Sequence, residues 1–221
     1  TRVPKSEVYA VIESDLNSAI SALPAQKSTD GRATSFTAHA LLGKVYLYQG
    51  KYSEAANILE PLIGLYTLPS NPGSVFLVSG ENGPESVFEI QHSKESNGWN
   101  WGWLPQSTEG NFGVIHHGIR GYNGPTYSSG WSFNVPTDEF HKAFKSGDKR
   151  RDASILDIVK WAEDNNASYN EGYEHTGYFN NKYIPRQGYS KNTMELNYEN
   201  NYRYIRYADV LLMAAEANSL T

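Results

Sequence analysis

The chain lacks cysteine altogether and contains only 2 methionines among its 221 residues. Without a thiol it forms no disulfide, no thiolate nucleophile and no cysteine-ligated zinc site, so those classes of stabilisation and catalysis are excluded. Positive charge is also scarce, because 19 Lys and Arg stand against 24 Asp and Glu and the formal net charge is −5. This balance argues against nucleic acid as a partner.

Long apolar runs and targeting signals are missing as well. No apolar run approaches the length of a membrane span, and no secretory signal peptide is recognisable. The chain begins at Thr1 without a methionine, and it ends at Thr221 directly after a helical pattern. We therefore expect an internal fragment, with any lipid anchor or targeting signal outside it.

Catalytic signatures are absent too. The sequence contains no G-x-S-x-G nucleophile elbow, no phosphate-binding loop and no dinucleotide-binding fingerprint. Glu89, Glu95 and Glu109 are formal candidates for the acid and base of a glycosidase, but any chain with 24 acidic residues offers such pairs. We expect neither enzyme activity nor a cofactor.

What the sequence does contain is a helical hairpin pattern from Leu42 to Ala55, with the spacing L-G-x-x-Y-x-x-x-G-x-Y-x-x-A. This spacing is typical of a tetratricopeptide hairpin. The small residues Gly43 and Ala55 let two antiparallel helices approach, and Gly50 ends the first helix because glycine adopts a left-handed conformation at little cost. Pro61 should kink or end the second helix. Such a hairpin cannot bury its apolar face alone, so neighbouring helices are expected.

Apolar periodicity and turn signals divide the chain into three parts. Residues 1–66 form a stack of helices, residues 67–135 hold short strands and an aromatic-rich loop, and residues 136–221 mix helices and loops and end in the first helix of a further hairpin. The predicted helices span residues 4–23, 35–49, 52–65, a short stretch from 136, 151–161 and 204–219. The predicted strands span residues 74–78, 86–91 and 178–185. We predict one mainly α domain over residues 1–221.

Five ordered blocks of the sequence resemble the SusD/RagB family of bacterial outer-membrane nutrient-binding lipoproteins. They cover most of the chain and occur in the family's order. The blocks are GRAT at residues 31–34 with the hairpin, ESVFEIQHS at 85–93, PTDEF with AF and DKRR at 136–151, TGY with KY at 176–183, and IRYADVLLMAAEA at 205–217.

This resemblance implies a tetratricopeptide-like helical scaffold, a SusD-like α/α superhelix, that carries a variable loop half. It also implies a cell-surface protein of the bacterial outer membrane that captures glycans for a SusC-like TonB-dependent transporter, as part of polysaccharide utilisation. Membrane association would come only through a lipid anchor outside this fragment. Two alternatives stay open: some members capture peptides, and many tetratricopeptide proteins bind only other proteins.

Tryptophans in the loop are the candidate ligand contacts. Trp99, Trp101 and Trp103 alternate with Asn100, so in an extended segment the three indoles lie on one side. An indole stacks on the apolar C–H face of a neutral sugar, while an amide such as that of Asn100 hydrogen-bonds the hydroxyls. The predicted ligand-binding residues are Trp99, Asn100, Trp101, Trp103, Tyr122, Tyr127 and Trp131.

The charge of this loop bears on the ligand. Glu109 and Arg120 are the only charged residues between Ser96 and Trp131. A peptide site would more often carry charge to meet termini and side chains, so the loop favours a neutral glycan. The competing interpretation is that the indoles fill a small core under the long loop. Trp161 lies on a helical pattern and is expected in the core.

Two motifs that superficially suggest metal binding do not support a metal site. His116 and His117 are adjacent, and neighbouring residues of an extended strand point in opposite directions, so they cannot chelate together. The acidic run at residues 163–166 lacks the glycine of a calcium-binding loop. We predict no metal site.

Two charged clusters are expected to form structural ion pairs rather than ligand contacts, because they belong to the shared scaffold and not to the variable loop. The clusters are Asp148, Arg150 and Arg151, and Arg203, Arg206 and Asp209.

Overall fold

The structure is a computed structural model that describes residues 2–95, 109–191 and 196–221. Its internal contacts divide the chain into two units. The helical unit comprises residues 1–69, 82–90 and 203–221, and the loop unit comprises residues 70–81 and 91–202. The prediction of a single domain over residues 1–221 stays a prediction.

The described elements are mostly helical, which confirms the predicted fold class. The α-helices are α1 (Lys5–Ala22), α2 (Ser35–Tyr48), α3 (Tyr52–Leu59), α4 (Gly113–His116), α5 (Asp138–Lys142), α6 (Lys149–Ser154), α7 (Ile158–Asn165) and α8 (Tyr207–Ser219). Short 3₁₀ helices span Glu60–Leu62, Pro72–Phe76 and Val78–Gly80. The strands are β1 (Ser86–Ile90), β2 (Ile155–Asp157), β3 (Tyr178–Asn180) and β4 (Tyr202–Arg206).

The helical unit is a stack in which α1 packs on α2, α2 on α3 and α3 on α8. Helix α2 begins where Thr34 caps it, because the Thr34 hydroxyl accepts a hydrogen bond from the Thr37 backbone N–H at 3.2 Å. Helix α1 occupies the predicted range, but none of its residues is buried. Its Glu13 carboxylate accepts hydrogen bonds from Lys51 at 2.5 Å and from Gln49 at 2.7 Å. The Lys51 ammonium holds the pKa of Glu13 below its ordinary value.

The hairpin of the sequence is confirmed at its glycines and at Pro61, but its second helix, predicted over residues 52–65, ends at Leu59. Gly50 has a φ of 72° and ends α2, where its N–H donates to the Leu47 carbonyl at 3.0 Å. Pro61 converts the end of α3 into a 3₁₀ turn. Gly43 lies so close to α3 that a Cβ there would stand 2.5 Å from Leu59 Cγ. The two helices therefore need glycine at this position.

We expect Gly43→Ala to destabilise the helical unit. The added methyl overlaps Leu59, a fully buried core residue, and overpacking of this kind costs about 1–3 kcal/mol. The better helix propensity of alanine offsets only ~1 kcal/mol of this loss of stability. Urea unfolding followed by circular dichroism measures the net loss. In a Leu59→Ala background the same change should cost clearly less, so equal losses in both backgrounds would contradict the packing explanation.

The core of the helical unit joins its helices to the β1–β4 pair. It contains Ala40, Leu59, Leu62, Val87, Ile205, Tyr207, Val210 and Ala214. Alternate residues of the strands face this core, so Glu89 and Arg203 come together inside it, with Arg203 Nε 3.9 Å from Glu89 Oε1. Arg206 bridges Glu85 at 3.2 Å and Asp209 at 3.0 Å. The structural ion pairing predicted for Arg203, Arg206 and Asp209 is thus confirmed.

Three predicted elements were wrong. The strand at 74–78 is a 3₁₀ helix, because Asn71 Oδ1 caps it at Gly73 N–H and Pro72 sets its first φ. The helix at 151–161 is two helices separated by β2. The helix from 204 begins only at 207, because the preceding residues pair with β1.

The loop unit has short elements and two apolar clusters. Strands β2 and β3 are antiparallel, and Leu156 lies opposite Phe179. The first cluster contains Ile119, Tyr122, Tyr127, Leu156, Ile158, Phe179 and Ile184. The second contains Val114, Ile115, Leu196 and Tyr198. The Asp148 side chain caps α6 and binds the Arg150 guanidinium, while Arg151 pairs with Asp152 at 2.8 Å. The ion pairing predicted for this cluster is confirmed.

Candidate functional site

A segment of the loop unit, residues 129–134, is held against residues 115–120 by backbone hydrogen bonds. Gly130 N–H donates to the Ile119 carbonyl at 2.9 Å, and Trp131 N–H donates to the Ile115 carbonyl at 3.0 Å. Such pairing fixes the backbone at both ends of the segment. Two further bonds, from residue 132 to residue 118 and from residue 133 to residue 116, measure 2.8 and 2.7 Å. We call residues 129–134 the aromatic turn.

The aromatic turn contains backbone strain. Ser132 has a φ of 58° and Asn134 a φ of 55°, which is the left-handed region that non-glycine residues adopt rarely. Conformations of this kind persist only where the surroundings enforce them, and they concentrate at functional sites. Here the effect is to turn the chain on both sides of Phe133, a residue that is 53% exposed. The turn therefore presents a large apolar ring to solvent.

Three aromatic side chains meet at this turn. Trp131 packs partly on the second apolar cluster of the loop unit. Its ring lies edge-on to His116 at a centroid distance of 5.0 Å and to Phe133 at 6.1 Å. His116 stacks on Phe133 at 5.9 Å with an interplanar angle of 19°. We call Trp131, Phe133 and His116 the aromatic triad. Ring contacts of this kind favour a preformed binding surface.

Arg120 braces the same turn. Its backbone N–H donates to Ser132 Oγ at 2.9 Å, and its Nη2 donates to the Trp131 carbonyl at 2.7 Å. The side chain lies at the surface. A guanidinium is therefore placed directly beside the backbone of the aromatic triad.

The structure buries two of the predicted site residues. Tyr122 and Tyr127 belong to the first apolar cluster of the loop unit and contact each other at a ring distance of 5.9 Å. The Tyr122 hydroxyl donates to the Pro125 carbonyl at 2.7 Å and accepts from Trp161 Nε1 at 2.9 Å. Arg186 covers the Tyr127 ring at 5.0 Å, and burial raises the pKa of Tyr127. Ligand contact by Tyr122 and Tyr127 stays a prediction.

The remaining predicted residues, Trp99, Asn100, Trp101 and Trp103, lie outside the described residues. Among the predicted residues that the structure describes, Trp131 belongs to the aromatic triad and Tyr122 and Tyr127 do not. The expected core position of Trp161 is confirmed by its contact with Tyr127 at 5.0 Å and by its indole hydrogen bond to Tyr122.

The extended strand assumed at the two adjacent histidines was wrong. They occupy the end of helix α4, where His117 Nδ1 contacts the Gly113 carbonyl at 2.8 Å. Burial lowers the pKa of His117. Over residues 2–95, 109–191 and 196–221, no cluster of three or more potential metal-ligating side chains occurs. Over the same ranges, no helix is both long and apolar enough to cross a bilayer.

Phe133 and His116 were not predicted as site residues from the sequence. Phe133 lies two positions beyond the loop boundary at Trp131, and the local sequence Trp131-Ser132-Phe133-Asn134 was a usable signal. It places two aromatics at i and i+2, and it contains serine and asparagine, which tolerate unusual turns. His116 carried no such signal, because its approach to Phe133 depends on the tertiary hydrogen bonds.

Comparison with known proteins provides the context for this site. A model of the SusD family matches residues 84–220. A solved "Laminarin binding SusD-like protein" is 40% identical with a TM-score of 0.88, and the match covers 98% of this chain and 50% of that chain. "Surface glycan-binding protein A from Bacteroides thetaiotaomicron in complex with laminarihexaose" is 27% identical with a TM-score of 0.84, over 97% of this chain and 50% of that one.

Another relative is matched over a similar share of its length. "SusD-like protein P2" of Formosa agariphila is 28% identical over 230 residues, which cover 98% of this chain and 44% of that protein. The chain thus spans about half the length of the relatives it matches.

Proposed function

This chain belongs to the SusD family, and from that premise we propose that it captures a neutral glycan at the cell surface. The observation that carries the proposal is the aromatic triad, a preformed set of rings that is partly open to solvent and anchored by backbone hydrogen bonds. Because similar proteins are named for laminarin and laminarihexaose, laminarin is the first ligand to test.

The chemistry of the triad suits sugars. A pyranose ring offers an apolar C–H face that packs on an indole or phenyl ring, while its hydroxyls need hydrogen-bond donors at the edge. By analogy with aromatic pairs, each such stack adds about 0.5–1.5 kcal/mol beyond the area it buries. Two stacks, on Trp131 and Phe133, give weak and reversible binding, which suits a protein that passes its ligand on. Ligand contact by Trp99, Asn100, Trp101 and Trp103 is part of the same proposal.

The proposal involves binding without turnover. In it, a SusC-like TonB-dependent transporter of the outer membrane receives the glycan, and a lipid anchor outside this sequence holds the protein at the membrane. The rigid stack of α1, α2, α3 and α8 supplies a surface for that partner. The family membership supports these assignments, and no cofactor or metal takes part.

We expect Phe133→Ala to weaken binding of laminarihexaose roughly 2- to 10-fold, and Trp131→Ala by at least as much, because each removes one stacking ring. Isothermal titration calorimetry on the folded variants measures both changes. Phe140→Ala is the matched control: Phe140 is 51% exposed in the same unit, on α5, and packs on Phe144 rather than on the triad. Its affinity should equal that of the wild type.

The same titration separates the competing functions. Binding of peptides but not of glycans would replace glycan capture by peptide capture. If the folded protein binds neither glycans nor peptides, the remaining function is that of a scaffold that binds only other proteins. Release of shorter sugars from laminarin during the experiment would reveal an enzyme and contradict the proposal.

A further inference from the structure

Arg120 is a cation of the loop unit that pairs with no carboxylate of the described residues. Some exposed cations of the unit form such pairs, as Arg150 does with Asp148 and Lys160 with Asp164 at 2.7 Å. In the part of the chain that the structure describes, the side-chain bond of Arg120 goes to the Trp131 carbonyl instead. This bond ties the Arg120 guanidinium to the backbone of the aromatic triad.

The guanidinium of Arg120 has unused donors. Arginine carries five N–H groups in a planar fork, and one Nη2 donor is committed to the Trp131 carbonyl at 2.7 Å. Within the described ranges, Nε and Nη1 have no protein acceptor, and the side chain is exposed. The bond to the Trp131 carbonyl holds the end of the side chain near the aromatic turn. The free N–H groups therefore lie at the surface beside the aromatic turn.

Ser132 completes this arrangement. Its Oγ accepts a hydrogen bond from the Arg120 backbone N–H at 2.9 Å. The same residue has a φ of 58°, which shapes the aromatic turn. One residue therefore supports the turn through its backbone and its side chain at the same time. Loss of the guanidinium removes the support of the Trp131 carbonyl but leaves the backbone bond to Ser132 in place.

We propose that Arg120 is a ligand-binding residue of the glycan site: it fixes Trp131 through the Trp131 carbonyl and donates its free N–H groups to hydroxyls of the sugar stacked on the triad. This inference rests on the proposed function. A neutral, hydroxyl-bearing ligand suits exposed guanidinium donors, because hydrogen bonds from a charged donor are strong even when the acceptor is neutral. A site that hydrogen-bonds particular hydroxyls also rejects sugars that lack them.

The test compares Arg120→Ala, Arg120→Lys and Arg120→Gln by calorimetric titration with laminarihexaose. Loss of hydrogen bonds to a charged donor predicts roughly 10- to 100-fold weaker binding for Arg120→Ala. Lysine keeps the charge but lacks the fork, so it should recover only part of the affinity. Arg150→Ala, which removes an exposed cation of the same unit from its pair with Asp148, should bind as the wild type does.

A double-mutant cycle with Trp131 separates ligand contact from a general effect on folding. In a Trp131→Ala background, Arg120→Ala should cost clearly less affinity than it does alone, because the sugar is no longer held beside the guanidinium. Thermal unfolding of each variant shows whether the fold is intact, and Arg120→Gln, which keeps one amide donor, serves if alanine is not tolerated.

Two outcomes would overturn the inference, and they are distinguishable. If the wild type binds laminarihexaose and a folded Arg120→Ala variant binds within 2-fold of it, the role of Arg120 is wrong while glycan capture stands. If the wild type binds no glycan, the proposed function fails and the inference fails with it.

Discussion

Arg203→Met is expected to destabilise the helical unit by about 3–5 kcal/mol, which is the usual cost of removing one partner from a buried ion pair. The side chains of Arg203 and Glu89 are each only 1% exposed, and Nε lies 3.9 Å from Oε1. Methionine fills a similar volume, so packing is largely kept. The Glu89 carboxylate, however, stays buried after its cation is gone. Urea unfolding followed by circular dichroism measures the loss.

The buried carboxylate can be tested separately from the packing. The double variant Glu89→Gln with Arg203→Met should recover part of the stability, because the uncompensated charge is removed. The new amide oxygen can still accept the Asn82 N–H, which the Glu89 carboxylate accepts at 3.0 Å. Arg150→Ala at the exposed pair with Asp148 should leave the unfolding midpoint unchanged. An equal, small effect at both pairs would contradict the assignment of Arg203 as a core residue.

Gly118→Ala is expected to disrupt the aromatic turn, with a loss of about 1–3 kcal/mol or more in the stability of the loop unit and strongly weakened glycan binding. A Cβ at Gly118 would lie 2.6 Å from Gly130 Cα and 2.9 Å from Gly130 N. These are backbone atoms, and the bond from Gly130 N–H to Ile119 fixes them. They cannot move aside as a flexible side chain can, so residues 115–120 and the aromatic turn must separate.

A second glycine provides the control for this prediction. Gly172 has room for a methyl group, since a Cβ there would lie 3.4 Å from Ser132 Cβ, which is an ordinary van der Waals contact. Gly172→Ala should therefore leave the thermal midpoint close to that of the wild type. If Gly118→Ala is as stable as Gly172→Ala, the close approach of Gly118 and Gly130 is not present in solution.

Local signals explain why the hairpin could be predicted from the sequence. Thr34, Gly50 and Pro61 each act on the residues next to them, by capping a helix, by turning left-handed, or by removing an N–H donor. The close packing of Gly43 on Leu59 follows from the repeat spacing. No tertiary information was needed at these positions.

The short strands could not be predicted in the same way. The residues of β2 are flanked by helices and belong to a strand only because β3 lies beside them. Tyr204 and Ile205 satisfy a helical pattern as well as a strand pattern, and pairing with β1 decides between the two. Tertiary contacts override weak local preference in such segments.

The candidate site also depends on tertiary contacts that the sequence does not reveal. Composition alone indicated an aromatic-rich region, but it could not distinguish a buried ring from an exposed one. Tyr122 and Tyr127 are core residues, whereas Phe133 is exposed because the backbone turns at Ser132 and Asn134. Those turns depend on hydrogen bonds to a segment more than ten residues earlier in the chain.

The most direct test of glycan capture at the aromatic triad is ¹⁹F NMR of the protein labelled with 5-fluorotryptophan, titrated with laminarihexaose. The 5 tryptophans give a small set of resonances, which Trp→Phe variants assign. We predict that the Trp131 resonance shifts saturably while that of Trp161, which packs on Tyr127 in the core, stays in place. A Trp131 resonance that does not move at saturating ligand would contradict the account.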